Sequence, residues 1–157
     1  MVINITGGSK SQRKYIPSII EFCIDTMMPR MKDIQIDVRV KKLAGDAYGY
    51  CLADPEGDAS RLDRPRHFEL EIHNKMPLRR FLETICHEMV HVKQYARGEL
   101  YESSRQSKHR WQGKWLAKDP NYWDQPWEIE AHGRETGLFI RWADKNKLGH
   151  LKWTHDD

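Results

Sequence analysis

Residues 77–97 restrict the possible folds of this chain more than any other segment. Pro77 suits the first turn of a helix and Gly98 suits a C-terminal cap. Apolar residues recur between them at helical spacing: Leu78, Phe81, Leu82, Ile85, Met89 and Val92. This period predicts an amphipathic helix of about six turns. Because its apolar face must be covered, we expect the rest of the chain to pack around it.

The same helix carries the string His87-Glu88-Met89-Val90-His91. Two histidines four residues apart project from one face of a helix, so both imidazoles can reach a single metal ion. A glutamate beside the first histidine can then lie against a metal-bound water. This H-E-x-x-H pattern predicts a zinc site with His87 and His91 as ligands and Glu88 as the general base.

A catalytic zinc site needs a third protein ligand and an open position. A final helix is predicted for residues 126–145, and Glu130 near its start is the best-placed third ligand. Glu128 is a rival, although a residue two positions away should point to another side of the helix. His132 is a further rival because three histidines bind zinc as well as two histidines and a glutamate.

Local patterns place the remaining elements around these two helices. Apolar residues recur at helical spacing before Pro29 and alternate in two later segments, which indicates strands, and a turn signal at Gly45-Asp46 precedes a further one. The predicted elements are a helix at 9–31, strands at 34–40, 47–52 and 67–73, a long loop at 101–125 with one short strand near 111–116, and a loose tail at 148–157. We therefore expect an α+β fold with a three- to four-stranded sheet.

Composition narrows the class of protein. A length of 157 residues fits one domain, residues 1–157, and a formal charge of +3 is too mild to indicate a nucleic-acid protein by itself. Mean hydropathy is −0.81, and no apolar run is long enough to span a membrane. Three scattered cysteines without a C-x-x-C pair, and no signal-peptide core, favour a reducing, cytoplasmic location. Cys86, within the predicted apolar helix, is expected to be a core residue.

The paired motifs resemble the gluzincin metallopeptidases. The chain is most similar to their minimal members, the minigluzincins, and to phage proteins described as SprT-like. Beside the histidine motif, the resemblance rests on residues 122–131, which contain the Glu130-Ala131 pair, and on Gly133-Arg134-Glu135. It covers roughly residues 34–138.

This resemblance implies a small zincin-like domain that hydrolyses peptide bonds in a peptide or protein substrate, with zinc as cofactor. It assigns His87, His91 and Glu130 as ligands and Glu88 as base, and it implies the host cytoplasm if the protein is phage-encoded. SprT proteases use a third histidine instead, and His132-Gly133 resembles the segment that supplies it.

Two alternatives differ in class from a peptidase. One is a zinc-fold binding protein without useful turnover, although a purely structural site has no need of Glu88. The other is a nucleic-acid-associated module, since basic and aromatic residues interleave around Lys108, Arg110 and Lys114. We favour anchoring of the core and loops as the role of these aromatic rings.

Two further expectations concern catalysis. The strand at 67–73 is a candidate sheet edge for an extended peptide. An oxyanion donor is expected from a set of four residues: Tyr122, His132, Arg134 and His109.

Overall fold

The computed structural model describes residues 1–55, 63–103 and 108–156. It is an α+β structure, as expected, in which three helices and a four-stranded sheet share one core. The elements are β1 (Val2–Gly7), α1 (Lys10–Met27), β2 (Gln35–Lys41), β3 (Gly49–Ala53), β4 (His67–His73), α2 (Leu78–Ala96), β5 (Leu100–Ser103), β6 (Lys108–Trp111), β7 (Lys114–Trp115) and α3 (Pro126–Lys145). None of the described helices is long and apolar enough to cross a membrane.

The larger sheet has the strand order β1-β2-β4-β3. β1, β2 and β4 are parallel, and β3 pairs with β4 in the antiparallel sense, with Cys51 opposite Leu70. Alternate residues such as Val38 and Leu70 are buried, as the period-two pattern predicts. β4 is an interior strand, so the expectation that residues 67–73 form a sheet edge is wrong; β3 is the edge strand on that side.

Helix α2 forms the centre of the molecule. It contacts α1, α3, β3 and β4, and every residue from 81 to 94 is buried. The predicted core role of Cys86 is confirmed: it is fully buried, with its Sγ 3.9 Å from the Sγ of Cys23, and both are free thiols. An amphipathic helix enclosed on nearly all sides places its polar residues inside the protein as well, where they need partners.

The segment predicted as a long loop contains a second, three-stranded antiparallel sheet in the order β5-β6-β7. Its residues 104–107 lie outside the described part of the chain. Aromatic contacts attach this sheet to α3: the His109 ring stacks on buried Trp127 at 4.8 Å, and Trp111 lies 6.2 Å from the same ring. Strands of two to four residues are too short to show a periodic sequence pattern. Backbone pairing forms this sheet, and ring stacking holds it against α3.

Residues 148–156 pack against the core, whereas a loose tail was expected; residue 157 lies outside the described residues. A short 3-10 helix, Lys152–His155, places the Trp153 ring 5.2 Å from Tyr15 and 6.3 Å from Phe139. Thr154 is buried, and its carbonyl oxygen accepts a hydrogen bond from Arg79. Covering the gap between α1 and α3 therefore gives this segment a fixed position.

We expect Trp153→Ala to lower the free energy of unfolding by about 2 kcal/mol, because it removes a half-buried ring from the contact between α1 and α3. Urea denaturation measures this change. Lys152→Ala, in the same 3-10 helix but exposed, is the matched control and should stay within about 0.5 kcal/mol of the parent. Equal stability of the two variants would mean that the C-terminal segment does not pack as described.

Candidate metal centre

The two motif histidines meet at the floor of a cleft. His87 and His91 are one turn apart on α2 and both are buried. Their Nε2 atoms lie 3.2 Å from each other. The predicted convergence of the two imidazoles on one point is therefore present in the structure.

Glu128, in the first turn of α3, completes a three-residue cluster. Its Oε2 lies 3.1 Å from the Nε2 of His87, and its Oε1 lies 3.3 Å from the Nε2 of His91. Helix α3 packs directly against α2, which brings this first turn over the motif. The two histidines and Glu128 form one of two groups in the described residues whose ligand atoms lie within 4.8 Å of each other.

Glu130, the third ligand expected from the sequence, is not part of the cluster that the described residues form. Its Oε2 lies 2.6 Å from the Nζ of Lys93 and 3.0 Å from the Nε of Arg134, and its Oε1 accepts a hydrogen bond from Gln94 at 2.9 Å. Burial alone would raise the pKa of Glu130, but these hydrogen bonds lower it. Glu128 and Glu130 do face different sides of α3, as a spacing of two requires, but Glu128 faces the site.

Hydrogen bonds on the far side of each ring determine which histidine nitrogen faces the cluster. The Nδ1 of His91 lies 2.8 Å from the Oε1 of Gln94, whose amide nitrogen donates to the Trp127 carbonyl and to Glu130. The amide oxygen must therefore accept, and Nδ1 of His91 carries the proton. The Nδ1 of His87 likewise lies 2.7 Å from a carboxylate oxygen of Glu135. In the neutral tautomers, both Nε2 lone pairs point into the cluster.

The cluster has the dimensions of a zinc site. Ligand atoms at about 2.0–2.1 Å from a tetrahedral zinc lie about 3.3 Å from each other. The separations of 3.1, 3.2 and 3.3 Å among the two Nε2 atoms and the Glu128 oxygens match that spacing. When both imidazoles are neutral, as they are when they bind a cation, the two lone pairs and the carboxylate are three electron donors with no hydrogen between them. This donor set suits a cation such as zinc, and the outer hydrogen bonds from Gln94 and Glu135 are those that metal-binding histidines commonly have.

The charges around the cluster also favour a cation. Burial alone would lower the pKa of His87, yet hydrogen bonds with Glu128 and Glu135 raise it to about 10. Burial alone would likewise lower the pKa of His91, which the hydrogen bond with Glu128 and the nearby charge of Glu88 raise instead. Burial acts to raise the pKa of Glu128, but the two histidines hold it well below its usual range. Three carboxylates around two imidazoles therefore attract positive charge into this part of the core.

Glu88 lies beside the cluster with its carboxylate buried. Among the described residues no hydrogen-bond donor contacts it, and burial raises its pKa. The backbone of β3 passes close by: a Cβ added to Gly49 would lie 3.0 Å from the Oε1 of Glu88 and 3.0 Å from the Thr84 methyl group. A side chain at position 49 would therefore compete with Glu88 for space, and glycine lets the edge strand approach it.

His132, the other expected rival, flanks the cluster. Its Nε2 lies 3.9 Å from Glu128, and its Nδ1 lies 3.5 Å from Glu135, so that His87, His132 and Glu135 form the second group within ligand distance. The Tyr122 hydroxyl lies 3.0 Å from both the Nε2 of His132 and the Oε2 of Glu128. His132 is half-exposed, so it lies at the mouth of the cleft rather than on its floor.

The cleft above the cluster has a volume of about 850 Å³. Its walls are the edge strand β3 on one side and the 3-10 helix Tyr122–Asp124 with the start of α3 on the other. Two of the expected oxyanion donors lie elsewhere, since Arg134 pairs with Glu130 and His109 stacks on Trp127. Tyr122 and His132 are the two that line the cleft.

The apolar pattern of α3 could have identified Glu128 and Glu135 as residues that face the site. Trp127, Ala131 and Leu138 define its buried face. Phe139 and Ala143 extend this face to one side, where Glu128 and Glu135 lie, whereas Glu130 lies on the opposite side of the helix from these two residues. Gln94 had no comparable signal, because its role depends on the packing of α3 on α2.

Comparisons with protein-family models, with curated proteins and with solved structures find no match to this chain.

We expect Glu128→Gln to weaken zinc binding at least about a hundredfold, because it removes an anionic ligand from the cluster. The matched control is Glu130→Gln, two residues away, which should change zinc affinity only a few-fold. Competition with a chromophoric chelator measures both, and circular dichroism checks that each variant is folded. A larger loss for Glu130→Gln than for Glu128→Gln would restore Glu130 as the ligand.

Proposed function

We propose that this protein is a zinc-dependent peptidase with a zincin-like domain, and that the ligands are His87, His91 and Glu128. The observation that carries the proposal is the convergence of two imidazole lone pairs and a carboxylate at zinc spacing, with Glu88 buried beside them at the floor of a cleft. A metal site with only a structural role has no use for a further carboxylate that lies beside the ligands, largely out of solvent, and lines the cleft.

Bound zinc would supply Lewis-acid polarisation of a carbonyl and a water of lowered pKa. Glu88 would be the group that accepts a proton from a water in the cleft and returns it to the leaving amine. Burial raises the pKa of its carboxyl, which makes Glu88 a stronger base than an exposed glutamate. Its closeness to Gly49 places this proton transfer next to the edge of the sheet.

Tyr122 is the best-placed donor for a developing oxyanion. Its hydroxyl lies 3.0 Å from the ligand carboxylate of Glu128 and lines the cleft. Partial burial of Tyr122, aided by the negative charge of Glu128, raises the pKa of the phenol, so it keeps its proton at neutral pH and can donate it in a hydrogen bond. His132, at 3.0 Å from the same hydroxyl, orients the phenol.

The cleft suits an extended peptide. Among the described residues β3 pairs only with β4, so its other edge presents free backbone donors and acceptors to the cleft. A peptide that adds to this edge would run past Gly49, the point at which the strand approaches Glu88. Strand addition with backbone hydrogen bonds gives affinity for unfolded segments.

Replacing the proposed base separates catalysis from metal binding. We expect Glu88→Gln to keep one zinc per protein and to lose at least about a hundredfold in kcat/KM, because the amide cannot accept the proton. Hydrolysis of casein and of a fluorogenic peptide library measures activity, and atomic absorption measures zinc. The control is Glu102→Gln, an exposed carboxylate outside the cleft, which should behave as the parent.

The outcomes of this experiment differ for each hypothesis. Parental activity that is lost with a chelator and restored with zinc supports a zinc peptidase. Equal activity of parent and Glu88→Gln would remove Glu88 from the mechanism. One zinc per protein without hydrolysis by the parent would favour a zinc-fold binding protein instead.

A further inference from the structure

The edge strand β3 exposes an apolar ridge, which we define as Tyr48, Tyr50 and Leu52. These side chains are 55, 49 and 43% exposed. Tyr50 and Leu52 alternate along the strand, so they lie on one face of the sheet, while Gly49 and Cys51 face α2. Tyr48 directly precedes the strand and continues its pairing, because its carbonyl oxygen accepts a hydrogen bond from the backbone N–H of His73. Three consecutive outward positions are thus large and apolar.

An exposed apolar ridge on an edge strand invites aggregation, and proteins usually protect such edges with polar or charged side chains. The opposite edge of this sheet does so: the outward positions of β1 after Val2 are Asn4 and Thr6. The two edges of one sheet therefore differ in chemistry, and the apolar one borders the cleft.

Exposed aromatic rings continue across the cleft. Trp123 is 68% exposed, and Tyr122 beside it is exposed as well. Both line the same cavity as Tyr48 and Tyr50, the residues at the start of the edge strand. Aromatic side chains at the mouth of a concave site typically provide rigid contact area for a ligand.

The charge of the cleft restricts the ligand. Its described lining includes four carboxylates, and Arg80 is its one guanidinium; the carboxylates belong to Asp46, Glu88, Glu128 and Glu135. Even a bound divalent cation leaves this lining without net positive charge. A polyanion such as nucleic acid is repelled by such a surface, whereas a neutral or basic peptide is not.

We propose that the ridge and the facing rings select extended peptide segments whose apolar side chains alternate with neutral or basic ones. This inference rests on the proposed peptidase function and names its substrate class. A peptide strand that pairs with β3 places every second side chain on the outer face, beside Tyr50 or Leu52, as cross-strand neighbours. The ridge is then a specificity-determining surface, and acidic segments are rejected.

Binding tests this proposal without requiring turnover. The zinc-loaded Glu88→Gln protein is titrated by fluorescence anisotropy into three labelled ten-residue peptides. The first alternates Leu or Phe with Thr and Lys, the second replaces Leu and Phe by Ser, and the third replaces Lys by Glu. We expect the first peptide to bind at least about tenfold more tightly than the other two.

Two pairs of substitutions locate the selective surface. Adding Tyr50→Ser and Leu52→Ser should weaken binding of the alternating peptide about five- to tenfold and leave the Ser peptide unchanged, since the coupling requires apolar groups on both sides. The matched control is Val2→Ser with Ile129→Ser, which removes two exposed apolar side chains outside the cleft. It should change neither affinity. All four positions are exposed, so the variants should fold, and thermal unfolding checks this.

The results separate this inference from the proposed activity. Equal binding of the three peptides, no binding of any, or equal losses in the ridge and control variants would overturn the selective ridge, even if the parent hydrolyses casein. If the predicted binding preference is found but the parent protein cleaves no peptide, the result would support the selective surface and contradict the proposed peptidase activity.

Discussion

The central feature of this protein is the meeting of three electron donors in its interior. The Nε2 atoms of His87 and His91 and the carboxylate of Glu128 lie 3.1 to 3.3 Å apart, on two helices that pack against each other. Such a group is unfavourable in a core unless protons or a cation lie between its members. The packing of α3 on α2 brings the three groups together, and hydrogen bonds on the far side orient both rings. The cleft opens above them.

Glu130, expected from the sequence to be a ligand, contacts the candidate site through other side chains. It anchors Lys93 and Arg134, and it also accepts the hydrogen bond that orients the Gln94 amide, which in turn orients His91. Both glutamates at the start of α3 thus act on the same histidine, one directly and one through an amide. A carboxylate near a candidate site can therefore be a support for a ligand rather than a ligand.

Sequence reasoning predicted the parts of this structure that rest on periodicity. The bounds of α3, the strand β4 and the apolar face of α2 follow from local patterns, and the i, i+4 spacing of His87 and His91 was sufficient to bring their rings together. The carboxylate that meets the two histidines could not be assigned from spacing alone, because it depends on the rotation of α3 about its own axis. That rotation is determined by the burial of residues such as Trp127 and Ala131.

Other features had no periodic signal. β1 has six residues with only two half-buried apolar positions, and it is held by parallel pairing with β2 across a long separation in sequence. The second sheet is attached through stacking on Trp127, and the C-terminal segment through Trp153. The position of β3 at the edge is likewise set by the strand order and not by a local pattern. β4 alternates more regularly, yet it lies inside the sheet.

X-ray absorption spectroscopy of the zinc-loaded protein tests the central claim most directly. We predict one tightly bound zinc with two imidazole nitrogens and carboxylate or water oxygen as nearest neighbours, at about 2.0–2.1 Å, and no sulfur. Coordination by a thiolate at about 2.3 Å, as Cys51 could supply, would contradict the proposed ligand set. Zinc bound only through oxygen, in substoichiometric amounts, would contradict the metal centre itself.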